Sequence, residues 1–427
     1  MRRLLPLLMS LLWAAPAWAT VQVGVGGSAV AFSASAVNYF TLFGQQSPLD
    51  TQNQRQQIIP TAGTFTRLRM SLDAAPDNGA GVDTYTFVVM LGASTTALTC
   101  VITDAETTCE SNAFVAVTAG QLLSIRSTPA NTPTATDGDW SMVFIATDTA
   151  ESILGGNTQS DTLSTSGDEF ISVAAGSAAS ATETTVQMVM PTAGNLVGMY
   201  VAMIGGDPDN GAGTDAYQFT LRVNVADQTT FQCTVSETAT TCSDVVGTFA
   251  LVAGDLLTVE STPSNTPQAL AVTVGFAFEA ASPEDFVIAN SSGAALLDAA
   301  SAVYNRLSAS RISWTTTEDN FTQLPQAMVI KSLYVTLTAD PDNGAGTQSY
   351  ELRLRNSVAN TGLAVTISSG ATTGFAHATE VINAGQFLAM QSTPSNTPTA
   401  VGAYFSVVAS VMAARLEGAT INAGVIQ

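Results

Sequence analysis

An all-β chain of three tandem antiparallel sandwiches is what this sequence predicts, and three observations predict it. Two peptides recur three times each at domain-sized intervals, apolar residues between them alternate with period two, and no stretch carries the spacing of an amphipathic helix. The hexapeptide PDNGAG stands at Pro76 to Gly81, Pro208 to Gly213 and Pro341 to Gly346, at intervals of 132 and 133 residues. A second marker, STPxNTP, follows at Ser127 to Pro133, Ser261 to Pro267 and Ser392 to Pro398, spaced by 134 and 131. Solenoid repeats run about 20 to 50 residues, so a unit of this size buries its own core.

Residues 1–19 read as a secretory signal. Arg2 and Arg3 are followed by an apolar core from Leu4 to Trp13 and an Ala17-Trp18-Ala19 cleavage site, which puts the mature start at Thr20. That core is short of the roughly 20 apolar residues a membrane helix needs, and no later run supplies them. The expectation is an exported protein without a transmembrane segment, at the cell surface, in the periplasm or in the extracellular space. The units then fall at 20–155, 156–290 and 291–427, with breaks in the Ser, Thr, Gly and Asn-rich stretches around Gly155 to Ser166 and Ala289 to Ala294.

Within each unit the alternation marks half-buried strands. Tyr350, Leu352 and Leu354 face one way and Glu351, Arg353 and Arg355 the other; Tyr217 to Arg222 repeats this, and Leu333, Val335 and Leu337 alternate with polar neighbours ahead of the hexapeptide. About seven or eight short strands per unit, separated by turn signals, favour a jelly-roll-like sandwich. Tyr85, Tyr217 and Tyr350 recur on the apolar side and are expected in the core.

Only 11% of residues are charged, against about 25% in ordinary soluble domains. After the signal, 11 basic groups face 34 acidic ones, a formal balance of −23, with Lys331 the single lysine. Phosphate backbones and anionic bilayers are repelled by such a surface, so neither nucleic acid nor an acidic membrane is an expected partner. Cys100 and Cys109 are nine apart, as are Cys233 and Cys242; in an exported chain each pair reads as a local disulfide pinning two strands of a hairpin, at about 2–3 kcal/mol. The third unit has Val365 and Gly374 instead.

The hexapeptide loops gather oxygen ligands: Asp77, Asn78 and Asp83; Asp207, Asp209, Asn210 and Asp215; Asp340, Asp342 and Asn343. Calcium takes six to eight oxygens of this kind, while Asp-Asn-Gly is equally an ordinary turn sequence. Ala75 replaces Asp207 in the first unit and Gln348 replaces Asp215 in the third, which favours the turn and leaves calcium as the one cofactor in view. The STPxNTP segments, with Ser127, Asn131, Ser261, Asn265, Ser392 and Asn396, read as rigid loops that a partner would see three times over. No Glu recurs in all three units and the one histidine, His377, is confined to the third, so no catalytic residue is assigned.

The run Tyr217-x-Phe-x-Leu-Arg222, the Thr241-Cys242-Ser243 hairpin, Ala253-Gly-Asp-Leu-Leu257 and STPSNTP resembles a family of secreted repeats associated with bacteria and phages, best from Pro208 to Pro267; the resemblance implies no activity. In strand pattern the units also look like the jelly rolls of the tumour-necrosis-factor and C1q type, whose trimers imply a pseudo-threefold ring here, with separate beads on a string as the alternative. The function expected is a non-enzymatic structural or adhesive protein whose partners are other copies of itself or a surface polymer. A glycan-binding or calcium-dependent module is the alternative, and a hydrolase working through carboxylates the second alternative.

Overall fold

A computed structural model describes residues 20–412 except 29, 46, 80, 148–149, 212 and 319–322; the signal segment 1–19 lies outside the described residues. The described chain is β-structure and loops, with two single-turn 3₁₀ segments at Asn53–Arg55 and Glu183–Thr185. Among the described residues no helix is long and apolar enough to cross a membrane.

Each unit is a pair of facing sheets with jelly-roll strand order. In the first unit one sheet runs Gly44–Gln45, Val21–Gly27, Gly138–Ala146, Gly63–Leu72, Thr108–Ser111, and the other Asn38–Phe40, Leu122–Ala130, Thr84–Leu91, Ser94–Thr103. The second unit repeats this with Glu151–Asn157, Ala271–Ala280, Gly194–Ile204, Thr241–Asp244 against Glu169–Ile171, Leu256–Ser264, Ala216–Val223, Ala226–Ser236. The third repeats it with Asp285–Leu296, Gly402–Val411, Met328–Leu337, Thr373–Ile382 against Val303–Asn305, Leu388–Ser395, Ser349–Asn356, Ala359–Ser368. Among the described residues pairing is antiparallel except at two short parallel contacts, Gly26 with Gly44 and Asn290 with Ala309. The alternation explains the cores: Tyr350, Leu352, Leu354, Leu333 and Val335 are fully buried, and each such side chain contributes about 1.5–3 kcal/mol.

The chain passes from unit to unit earlier than the Gly and Ser-rich stretches suggest. The first stretch begins inside strand Glu151–Asn157 and the second falls inside Asp285–Leu296, where small residues let backbones approach closely. A Cβ on Gly156 would meet the Ser172 carbonyl at 2.2 Å.

The units close into a ring rather than hanging as beads. Three equivalent seams join them, each built on the residue two before a proline that recurs at Pro60, Pro191 and Pro325. The Ile58 amide donates to Thr273 Oγ1 at 3.1 Å, and the Ile58 carbonyl lies 2.9 Å from where a Cβ on Gly275 would stand. Ser406 Oγ donates to the Val189 carbonyl at 2.5 Å, and Ser141 Oγ to the Gln323 carbonyl at 2.5 Å. Ser141, Gly275 and Ser406 occupy one register position of the last strand, opposite Val25, Gly155 and Ala289. The first strands meet at the pseudo-threefold axis around a cavity of about 30 Å³ lined by Gln22, Gly24, Gly155 and Ala289 among others. Beside it Val23 enters the core of the third unit, Ile153 that of the first and Val287 that of the second, so the three cores interlock in one rotational sense.

Candidate functional site

The two recurring motifs, about fifty residues apart in sequence, form one structure in each unit. Asn78 Nδ2 donates to the Thr132 carbonyl at 2.8 Å, Asn210 Nδ2 to that of Thr266 at 2.5 Å and Asn343 Nδ2 to that of Thr397 at 2.8 Å. The reverse bonds run from Asn131 Nδ2 to the Val82 carbonyl at 2.6 Å, from Asn265 to Thr214 at 2.8 Å and from Asn396 to Thr347 at 2.9 Å. This exchange requires consecutive left-handed residues, and Asn131-Thr132, Asn265-Thr266 and Asn396-Thr397 all have φ between 49° and 60°. Such backbone costs about 1–3 kcal/mol per residue, which the interlocked amides offset.

The acids of the hexapeptide act mainly as acceptors for main-chain N–H groups. Asp77, Asp209 and Asp342 take the amides of Gly79, Gly211 and Gly344 at 2.7, 2.7 and 2.8 Å, the Asx turn that Asp-Asn-Gly favours. Asp83 and Asp215 are buried, and their Oδ2 atoms accept from the Asn78 and Asn210 amides at 2.9 and 3.0 Å; their Oδ1 atoms are buried without a hydrogen-bond partner among the described residues. In the third unit the buried Gln348 takes that place and donates to Asn343 Oδ1 at 2.5 Å, while Asp340 accepts from Asp342 and Gly370 at 2.9 Å each. Asp207 stands partly exposed at the start of its loop. Among the described residues no group of three or more His, Cys, Asp or Glu is arranged to hold a metal ion.

The serines of STPxNTP are not on display. Ser127, Ser261 and Ser392 are buried because the first residues of the motif are the last of a strand, with Pro129, Pro263 and Pro394 opposite Tyr85, Tyr217 and Tyr350. Those tyrosines sit in the cores, and their hydroxyls donate to the carbonyls just past the motif, Thr134, Gln268 and Thr399, at 3.2, 2.9 and 3.1 Å. Burial pushes all three phenols up to about 12, with smaller help from Glu169 at Tyr217 and Asp298 at Tyr350.

Both disulfides form, Cys100–Cys109 and Cys233–Cys242, with Cα atoms 5.7 and 5.8 Å apart. They do not pin ladder partners. Cys100 lies opposite Phe87 in one sheet and Cys109 opposite Met70 in the other, so the bridge spans the sandwich at its open edge. In the third unit Val365 leans over Gly374, where a Cβ would come within 2.3 Å of Val365 Cγ1: a buried methyl on bare backbone replaces the sulfurs.

The seams hold further polar chemistry. Gln22 makes a two-bond bridge to Ile153, its Nε2 donating to the carbonyl and its Oε1 accepting from the amide, both at 2.8 Å. Asp139 of the first unit and Arg306 of the third form a buried ion pair, and Arg69 Nε donates to Gln323 Oε1 at 2.6 Å across the same seam. Between the first and second units a cleft of about 450 Å³ is lined by Pro60, Thr61, Glu151, Tyr200 and Val245; the Thr61 hydroxyl donates to Glu151, and burial beside Glu151 raises the Tyr200 phenol. Pro60 recurs as Pro191 and Pro325, and Tyr200 has Tyr334 as its counterpart in the third unit, but Gln22, Asp139, Arg306 and Arg69 have no like residue at the matching positions, so repetition could not point to them.

The largest charge cluster surrounds Arg222, which meets Glu183 at 3.1 Å, Glu260 at 3.2 Å and Asp227, and lies 5.2 Å from the centre of the Phe170 ring. Burial pushes Glu260 up while Arg222 pulls it down. One guanidinium serves three carboxylates here, the pattern of a structural network.

On the outer face of the third unit, Tyr334, Phe375 and His377 line up across two strands. Ring centres are 5.9 Å apart for Tyr334 and Phe375 and 6.4 Å for Phe375 and His377, the latter pair inclined by 24°. No protein-family model matches this chain, and no curated protein is significantly similar to it.

Proposed function

We propose that this chain is a non-enzymatic exported protein that serves a structural or adhesive role at the cell surface or in the extracellular space. The observation that carries the reading is the closed ring. Every feature that recurs three times, the loop pair, the core tyrosine and the seam two residues before the proline, is spent on building and joining units. A ring so made displays three versions of one outer surface, the architecture of a rigid presenter rather than of a reaction vessel. The signal-like start and the two disulfides support export. The jelly-roll strand order and the threefold closure agree with the likeness to trimeric jelly rolls noted in the sequence.

Electron microscopy of the secreted protein, with fractionation of the producing cells, tests this. Ring-shaped particles retained at the surface or associating with one another are expected. A particle that stays strictly monomeric and is never retained would overturn it.

A further inference from the structure

We infer that the strip formed by Tyr334, Phe375 and His377 binds an uncharged sugar of a surface polymer. This rests on the adhesive reading and supplies it with a contact site and a ligand class.

The three units act as each other's controls. Phe375 lies opposite Tyr334 in the ladder; the same register position pairs Glu110 with Arg69 in the first unit and Ser243 with Tyr200 in the second. The scaffold therefore takes a polar or charged residue there, and in the first unit the pair is a salt bridge at 3.2 Å. Phe375 is 53% exposed, so its ring is not there to fill the core. A large apolar side chain held in water at a position that elsewhere is polar marks a contact surface.

The strip is built to stay in place. Tyr334 stands at the seam with the second unit, under Gly254, where φ is +96° and a Cβ would fall 2.5 Å from the phenol oxygen. Any side chain at Gly254 would displace the ring. The closed ring of units thus fixes one end of the strip, and the ladder fixes the other.

Charge selects the ligand class. The exposed side chains of strand Thr373–Ile382 are Thr373, Phe375, His377, Thr379 and Val381, with no carboxylate or ammonium group. Its one acid, Glu380, points to the other side and accepts the Gly362 amide at 2.5 Å. The exposed side chains of that strand offer a cation no carboxylate, and an anion would approach a chain of net charge −21. What fits is a neutral ring with an apolar C–H face for the aromatics and hydroxyls for the two threonines and the imidazole.

The test uses the full chain, probed on an array of neutral and acidic glycans and by calorimetry with neutral hexaoses of glucose, mannose, galactose and N-acetylglucosamine. Binding of at least one neutral oligosaccharide is expected, weakened at least about tenfold by Phe375→Ser, which installs the second unit's residue, and by His377→Ala. Circular dichroism checks that both variants fold. No binding to any neutral glycan, preference for acidic polymers, or affinity unchanged in both variants would overturn the proposal. Particle shape and surface retention measured on Phe375→Ser keep the two readings apart. Retained rings that bind no sugar sink the sugar site alone, and sugar binding by a protein that is never retained sinks the adhesive role instead.

Discussion

Arg306 of the third unit and Asp139 of the first form a buried ion pair at the seam that the polypeptide does not tether. The first and second units, and the second and third, are joined in sequence by a few residues between strands, whereas the third meets the first by non-covalent contact alone. Among the described residues it is the sole ion pair between units. Removing one partner strands a charge in a dry interface, so Asp139→Ala should cost about 3–5 kcal/mol in urea unfolding. Replacing both with apolar residues of similar volume should recover most of that loss, and a double-variant loss equal to the sum of the two single losses would show that the pair is not coupled.

Val365 and Gly374 stand where the other units have their disulfides, and the space between them is already short. The double variant Val365→Cys, Gly374→Cys should form a third bridge, detectable as one further disulfide by mass spectrometry without reductant. It should raise stability by about 2–3 kcal/mol. Gly374→Ala alone should destabilise, by about 1–3 kcal/mol, because its methyl would run into Val365.

Asn210→Ala removes the amide that ties one repeated loop to the other. The expected loss is about 1 kcal/mol, with faster amide exchange confined to the Pro208 to Gly213 and Ser264 to Pro267 loops. Exchange that changes evenly throughout the unit would contradict a local clamp.

Tyr85, Tyr217 and Tyr350 stay protonated in the folded state to about pH 12, against about 10 for an unfolded tyrosine. Because the folded values are raised, the stability they contribute is whole below about pH 10 and is lost as pH climbs towards 12. The tyrosinate absorbance of these three should therefore appear late, in step with loss of tertiary structure. Their early titration in a still folded protein, followed by difference from single Tyr→Phe variants, would disagree.

Calcium offers a comparison between units. The buried, unpaired Oδ1 atoms of Asp83 and Asp215 have no counterpart in the third unit, where Gln348 replaces the acid. With one oxygen each of Asp77, Asp83, Asp209 and Asp215 engaged by a main-chain N–H group, millimolar calcium should leave the melting temperature unchanged. A rise abolished by Asp83→Asn with Asp215→Asn would instead locate a cation in the first two loops.

Periodicity made the sandwiches legible, because Tyr350, Leu352 and Leu354 obey the two-residue alternation that a half-buried strand imposes. Repetition made the loops legible as motifs but not as a pair: the Asn210 to Thr266 bond joins residues 56 apart, and each motif alone reads as a complete turn. The disulfides were readable as pairs, yet a nine-residue spacing cannot tell a ladder partner from a neighbour across the sandwich. Gly155 and Gly156 suggested a linker and proved to be strand, since close approach at an axis asks for the same residue as a turn. Arg306, Asp139 and Phe375 each occur in one unit only, so comparing the copies hid the residues that make the copies differ.

The ring's joined chain has a consequence for how its surface can change. A trimer of identical subunits receives every substitution three times, so an arginine placed at one interface appears at all of them. Here one seam has acquired a charge pair, another a tyrosine hydroxyl, and a single outer face its aromatic rings, each without altering the remaining two. Tandem fusion lets a threefold scaffold carry three independent surfaces.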